Sequence, residues 1–221
     1  MKKRRILIAS LVVCLAAIMA FGSLAYFTAQ DRVENKFYTA AYDPDNPDKP
    51  INADDLFSIK VYETDNTKTD GSKTETGNTY EKIQPGDVLA KDPTVKNTGK
   101  YDAYIRVNVT VDKAAAWKSI VPADSDLTAI FGGFESSKWT LAGKTEDAVA
   151  NTVTYSYYLN ESLAPEATAT LFDTVTIPSY ITAAQFATIA NFKITVTADA
   201  IQSANTGTIA EAFGIYDNLQ R

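Results

Sequence analysis

Residues 84–112, QPGDVLAKDPTVKNTGKYDAYIRVNVTVD, contain the clearest alternation of apolar and polar side chains in the chain. In the second half every other residue is apolar, namely Ala103, Ile105, Val107, Val109 and Val111. This period of two is typical of a β-strand with one buried face. A turn at residues 97–99 precedes it and Pro85-Gly86 marks the entry of an earlier strand, which together predict an antiparallel pair. Because the apolar face of such a pair needs a second layer to cover it, the stretch predicts a sandwich or a barrel.

Similar strand patterns recur along the rest of the chain. The predicted strands outside the opening stretch are residues 56–63, 139–141, 153–159, 167–177 and 192–201. Residues 64–78 are polar throughout and predict a long exposed hairpin loop, and residues 143–151 predict a second hairpin turn. Short helices are expected within residues 114–134 and 181–190. About seven or eight strands with these turns indicate one all-β antiparallel sandwich with short connecting helices.

The N-terminus has the three parts of a secretory signal. Four basic residues at positions 2–5 precede an uncharged apolar run, and small residues at Ser23 and Ala25 form a cleavage site. Cleavage after Ala25 leaves Tyr26 as the first residue and implies a secreted protein. The alternative is an uncleaved membrane anchor, because the apolar run is long enough to span a bilayer.

Four segments follow from these patterns: a signal peptide at residues 1–25, an N-terminal strand with a linker at 26–50, a β-sandwich at 51–202 and a C-terminal segment at 203–221. In the second segment, Phe27, Val33 and Phe37 are the candidate buried positions of a strand. This strand has two interpretations: it pairs within its own domain and leaves a monomer, or it reaches into another molecule. The linker is rich in aspartate and proline, which exclude regular structure. Its carboxylates Asp43, Asp45 and Asp48 leave weak calcium binding open, although the spacing lacks the glycine and glutamate of an EF-hand loop.

The amino-acid composition limits the kinds of catalytic site, metal site and partner that the chain can have. The chain has no histidine, and its only cysteine, Cys14, lies in the predicted signal peptide. Histidine-dependent nucleophilic catalysis and a zinc site are therefore not expected, and no cofactor is implied. Without residues 1–25 the chain carries 17 basic and 27 acidic residues, a net charge of −10, which disfavours nucleic acid and anionic membranes as partners.

Trp117 and Trp139 have two interpretations. Exposed on a surface, they would form a stacking platform for sugars, as in an adhesin or carbohydrate-binding module. The favoured interpretation is that they belong to the core or close one end of a sandwich.

Several short motifs resemble the TasA and camelysin family of secreted bacterial proteins. The junction GSLAYFT at residues 22–28, residues 33–37, PGD at 85–87, KDPTVKNTG at 91–99, AYIRV at 103–107 and ADAIQ at 198–202 occur in an order and spacing similar to that family. Together these motifs span nearly the whole chain. The linker and the loop at residues 64–78 are additions to the family pattern.

The resemblance implies a jelly-roll sandwich that polymerises into extracellular fibres of a biofilm matrix. Each subunit would pass its N-terminal strand, including Tyr26, Phe27, Val33 and Phe37, into the next. The implied partners are other copies of the chain, head to tail, a minor fibre or anchoring protein, and a dedicated signal peptidase during export. The expected location is the extracellular matrix or cell surface of a bacterium, with membrane contact only through the signal peptide. The family also includes a surface metallopeptidase, but this chain has no His-Glu-x-x-His motif.

Overall fold

The computed structural model describes residues 57–122 and 126–220 in full, and the backbone course alone of residues 28–30, 41–43 and 46–51. It confirms the predicted all-β class with short helices. The strands are β1 (Thr28–Gln30), β2 (Ala41–Asp43), β3 (Asn46–Ile51), β4 (Ile59–Thr64), β5 (Lys73–Thr74), β6 (Val88–Ala90), β7 (Thr94–Asn97), β8 (Ala103–Asp112), β9 (Phe131–Gly132), β10 (Trp139–Asp147), β11 (Thr152–Leu159), β12 (Thr168–Thr170), β13 (Thr174–Thr176) and β14 (Ile194–Gln202). The helices are α1 (Ala114–Ile120), α2 (Ala183–Thr188) and α3 (Ile209–Leu219), with a 3-10 turn at Leu127–Ile130.

The largest sheet is five-stranded, with β8 at its centre in the order β1-β14-β8-β11-β10, and every neighbouring pair is antiparallel. The alternation predicted for β8 is confirmed: its five apolar residues are all buried, while the residues between them are half-buried on the other face. The predicted hairpin between residues 139 and 159 is also confirmed, as β10 and β11, but its turn is shorter than the predicted residues 143–151 because β10 continues to Asp147.

Two smaller sheets supply the opposing layer, one ordered β12-β7-β4-β5 and the other β6-β13-β9. Side chains from all three sheets join one hydrophobic cluster, which includes Val95 of β7, Val107 of β8 and Val175 of β13. The core therefore lies between the five-stranded sheet and the two smaller ones. Separately, β2 and β3 form an antiparallel hairpin in the linker, where the composition predicted irregular structure.

The predicted pairing of the two strands in the opening stretch is wrong. β7 pairs with β4 and β12, whereas β8 pairs with β11 and β14, so residues 98–102 cross from one sheet to the other. The buried side chain of Asn97 holds this crossing: its Nδ2 donates to the carbonyls of Tyr101 and Leu163, both at 2.8 Å, and its Oδ1 accepts from the N–H of Gly99. A side chain that satisfies three backbone groups replaces the ladder bonds of a hairpin.

The strand predicted over residues 167–177 is two strands, β12 and β13, in different sheets. Its predicted inward residues Ala169, Leu171, Val175 and Ile177 are nevertheless all buried. Between the two strands, Asp173 N–H donates to the carbonyl of Gly132 and the Asp173 carbonyl accepts from Lys91 N–H. The chain therefore changes sheets without losing its buried face.

Helix α3 was not predicted. It begins at a capping box in which the Thr208 hydroxyl accepts from Glu211 N–H and the Glu211 carboxylate accepts from Thr208 N–H. Phe213 and Tyr216 are buried on the outer face of the five-stranded sheet, where Phe213 stacks on Tyr158. The C-terminal segment thus adds a third layer over one end of that sheet.

Candidate assembly edge

One edge of the five-stranded sheet is filled by the N-terminal strand. β1 pairs antiparallel with β14, and the partners are Thr28 with Ile201, Ala29 with Ala200, and Gln30 with Asp199. Ala200 is fully buried, and Ala29 lies directly across from it. The edge of β14 therefore has the geometry to accept an added strand in a defined register.

β14 is longer than the strand that covers it. It spans nine residues, whereas β1 covers three. Among the strands that the structure describes, none pairs with the outer edge of residues 194–198, where Thr195 and Thr197 are exposed. As far as the described strands go, the backbone donors and acceptors of this part of β14 could pair with a longer partner strand.

Arg106 binds β14 through an ion pair with Asp199 on the outer face of the sheet. Its Nε and Nη2 donate to Asp199 Oδ2 at 3.0 and 2.9 Å, and its Nη1 donates to both carboxylate oxygens of Asp217 on α3 at 2.9 Å. The guanidinium also lies 4.6 Å from the ring centre of Phe213. Burial alone would lower the pKa of Arg106, but the carboxylates of Asp199 and Asp217 outweigh it and raise that pKa. The Arg106 guanidinium therefore links β8, β14 and α3.

The sequence contains Arg106 and Asp199 in two of the family-like motifs, but sequence reasoning gave neither a role. They are 93 residues apart and become neighbours only through the register of β8 with β14. Alternation does place both residues on the polar face of their strands, and this is the feature of the sequence that could have indicated their contact.

The opposite edge of the sheet is built differently. β10 carries a bulge between Leu141 and Gly143, and all its residues after Trp139 are exposed. Lys144 on this strand forms ion pairs with Asp126 at 3.4 Å and with Glu146 at 3.5 Å. Bulges and charged residues are the devices that prevent edge-to-edge pairing. The two edges of the sheet therefore differ in their capacity to accept a strand.

A cleft of about 320 Å³ lies between α1 and the β10–β11 hairpin. At its rim the Tyr155 hydroxyl donates to Asp126. Burial opposes ionisation of Asp126, but hydrogen bonds from Tyr155 and the Leu127 N–H, with the charge of Lys144, outweigh it and lower the pKa of that carboxyl. Burial and the same hydrogen bond raise the pKa of Tyr155. The charged residues that line the cleft are therefore paired with one another, Lys118 with Glu146 and Lys144 with Asp126.

The two tryptophans are core residues, as the favoured interpretation predicted. Trp117 and Trp139 are each 1% exposed, and Trp139 Nε1 donates to the Thr170 carbonyl at 2.8 Å. Trp117 packs edge-on against Phe192. Neither ring is available to stack on a sugar, which removes the basis of the adhesin alternative.

The residues predicted for cleavage and strand exchange, Ala25, Tyr26, Phe27, Val33 and Phe37, lie outside the described residues. The side chains of the possible calcium ligands Asp43, Asp45 and Asp48 also lie outside them. Within the described part of the chain, no three Asp, Glu, His or Cys residues are grouped closely enough to hold a metal ion.

Comparison with protein-family models, curated proteins and solved structures finds no match to this chain. Across residues 57–122 and 126–220, no helix has the length and apolar character needed to cross a bilayer.

Proposed function

We propose that this protein is a secreted structural protein that assembles with itself into extracellular fibres by exchanging its N-terminal strand. The observation that carries the proposal is the pairing of Thr28–Gln30 with the edge of β14. An edge that accepts this strand from its own chain can accept the same strand from a neighbouring copy, because the backbone contacts are identical.

The predicted donor strand matches this edge in length. Twelve residues, 26–37, reach about 40 Å when extended. β1 uses three of them, and the part of β14 that no described strand covers could pair with more. A donor from a neighbouring copy would therefore gain ladder hydrogen bonds beyond those of β1.

Three of the four predicted strand residues, Phe27, Val33 and Phe37, fall on one side in the same register. Extended along β14, that register sets Val33 opposite Val196 and Phe37 opposite Phe192, both on the side of the sheet on which Ala29 faces Ala200. Phe27 falls on that side as well. Val196 and Phe192 pack partly buried against the core, so the apolar side chains of a donor would extend the core.

Two polar residues, Asp31 and Asn35, fall on the same side in this register, with Asp31 opposite the buried Ala198. A carboxylate at a core-facing position opposes docking. Replacing it with valine should therefore tighten binding of the strand.

The difference between the two edges gives assembly a direction. Because β10 is bulged and charged, strand addition to the five-stranded sheet would take place at β14 and not at β10. Each subunit would then receive one strand and donate one, and such head-to-tail contacts do not close on themselves, so they generate filaments.

A cysteine pair tests the exchange. In the variant with both Ala29→Cys and Ala200→Cys, the two thiols lie across one strand pair and no other cysteine remains after removal of residues 1–25. Oxidation of assembled protein should give a ladder of covalent multimers on a denaturing gel. A single monomer band with an internal disulfide in fibres would overturn the proposal. The control, Ala29→Cys with Thr145→Cys on β10, should give no ladder.

Deletion of residues 26–33 gives a second test. The truncated protein should remain folded but fail to form fibres, and a synthetic peptide of residues 26–37 should bind it. The peptide with Asp31→Val should bind more tightly, and that with Val33→Asp more weakly. Fibres of unchanged repeat from the truncated protein would show that another element connects the subunits.

A further inference from the structure

Three polar side chains from separate parts of the chain meet beside the four-stranded sheet. Glu63 lies on β4, Lys91 directly follows β6, and Asn78 lies in the segment between β5 and β6. Glu63 is 6% exposed and Lys91 7% exposed, so this is a buried ion pair. Lys91 Nζ donates to Glu63 Oε1, while Asn78 Nδ2 donates to Glu63 Oε2 at 3.2 Å. The Glu63 carboxylate therefore accepts from the Lys91 ammonium on one oxygen and from the Asn78 carboxamide on the other.

The backbone around this cluster is fixed on both sides. Asp92, the residue after Lys91, accepts from the N–H of Thr64 at 2.7 Å and from its hydroxyl at 2.6 Å. Thr64 in turn follows Glu63 in β4. The ammonium and the carboxylate are thus held together by neighbouring hydrogen bonds as well as by their charges.

The carboxamide of Asn78 is oriented by bonds at both ends. Its Oδ1 accepts from the N–H of Asn66 at 2.9 Å, and its Nδ2 also donates to the Thr64 carbonyl at 2.7 Å. A backbone N–H on the carbonyl oxygen stabilises negative charge that develops there during acyl transfer. A carboxylate beside the amide nitrogen is placed to protonate that nitrogen as it leaves.

Tyr80 adjoins the cluster and donates its hydroxyl to the Ala90 carbonyl. Burial, with the negative charge of Glu63, raises the pKa of Tyr80 to about 12. The Tyr80 side chain is therefore close enough to be affected by the charge of Glu63 and by a hydrogen bond with Asn78.

From this geometry we propose that Lys91 and Asn78 form an intramolecular amide bond, with Glu63 as the acid–base group. The reaction requires no cofactor and no oxidant. It would give a covalent cross-link to a chain whose only cysteine lies in its predicted signal peptide.

The reaction proceeds in two proton-balanced steps. Glu63 takes a proton from the Lys91 ammonium, and the neutral Nζ attacks Asn78 Cγ, forming the C–N bond while negative charge develops on Oδ1. The bond from Cγ to Nδ2 then breaks as Glu63 returns the proton to Nδ2 and the attacking nitrogen loses its own extra proton to the leaving group. Ammonium leaves, Glu63 is again a carboxylate, and an amide joins Nζ to Cγ. Holding both reactants on one carboxylate provides the proximity that such a step requires.

The product would close a ring that contains β6 and the preceding loop. Cross-links that close a loop stabilise the folded state mainly by restricting the unfolded chain. The bond would also anchor the end of the long polar segment at residues 64–78 to the strand that follows it.

Intact-mass measurement of the purified mature protein tests the proposal. The mass should be about 17 Da below that of the unmodified sequence, because one ammonia is released. Digestion with trypsin should yield a branched peptide joining Asn78 to Lys91, with no cleavage after Lys91. Lys91→Arg, which keeps the positive charge, and Glu63→Gln, which keeps the shape of the acid, should both restore the full mass.

Two results would overturn the proposal. One is a folded wild-type protein of unmodified mass, which would make the cluster a structural ion pair only. The other is a mass deficit that persists in Lys91→Arg, which would identify a cyclised asparagine instead. Lys96→Arg is the matched control: Lys96 pairs with Glu166 and takes no part in the proposed reaction, so this variant should retain the deficit.

Discussion

At the scale of single residues, Arg106 is the side chain that links helix α3 to the five-stranded sheet. Asp199, its main partner, is 6% exposed, so replacing Arg106 with methionine leaves a buried carboxylate without its cation. Removing one partner of a buried pair costs about 3–5 kcal/mol. The free energy of unfolding of Arg106→Met, measured with urea, should fall by an amount of that order.

The control for Arg106 is its other partner. Asp217 is half exposed and leaves Arg106 still paired with Asp199, so Asp217→Asn should cost only about 0–1 kcal/mol. If both variants lost equal stability, the guanidinium would be acting through Asp217 and the helix instead of through β14.

Side-chain periodicity predicts some residue environments and not others. It placed the inward side chains of β8 correctly because alternation depends only on the chain's own geometry. It did not find Asn97, nor the cluster of Glu63, Asn78 and Lys91, because polar contacts across turns and between strands depend on register and sheet order. In this protein, side-chain periodicity therefore predicts which apolar residues are buried but does not predict the contacts of buried polar residues.

At the scale of elements, helix α3 is expected to stabilise the sheet through Phe213. This side chain is fully buried against Tyr158 and Arg106. Truncating a buried phenylalanine costs about 3–5 kcal/mol. Phe213→Ala should therefore lower the urea midpoint strongly, whereas Leu219→Ala on the same helix, 68% exposed, should leave it nearly unchanged. Equal effects would mean that α3 contributes only its backbone.

The helix shows why element prediction failed in one place and succeeded in others. Strands with long alternation, such as β8 and β14, were identified, as were the short helices α1 and α2. The signal for α3 was present in the capping pair Thr208 and Glu211 and in the helical spacing of Ala212, Phe213 and Tyr216. The crossing of residues 98–102 between sheets had no comparable local signal, because a tight turn serves a hairpin and a sheet change equally well.

At the scale of the whole molecule, buried tyrosines predict sensitivity to alkali. Burial raises the pKa of Tyr157 to about 12, and burial with the charge of Glu63 does the same for Tyr80. Below pH 10 these tyrosines are neutral in both states, so their contribution to stability is fully present. Between pH 10 and about 12 the unfolded chain releases protons that the folded protein retains, so the free energy of unfolding falls as pH rises.

Urea unfolding followed across this alkaline range, with tyrosinate absorbance recorded in parallel, measures the effect. Tyr157→Phe should reduce the loss of stability with pH, while Tyr180→Phe, at an exposed position, should not. A stability that stays constant through the range would contradict the burial of these hydroxyls.

The hairpin between β10 and β11 ends in a tip at which Val149 is 100% exposed. The tip closes locally, since Asp147 Oδ1 accepts from the N–H groups of Val149 and Ala150 at 2.8 and 2.9 Å. Such tips tolerate inserted sequence because few contacts depend on them. A peptide grafted there would be displayed once per subunit. The proposed fibre would then become a regularly spaced multivalent array, with ligand density set by the subunit repeat and avidity set by spacing.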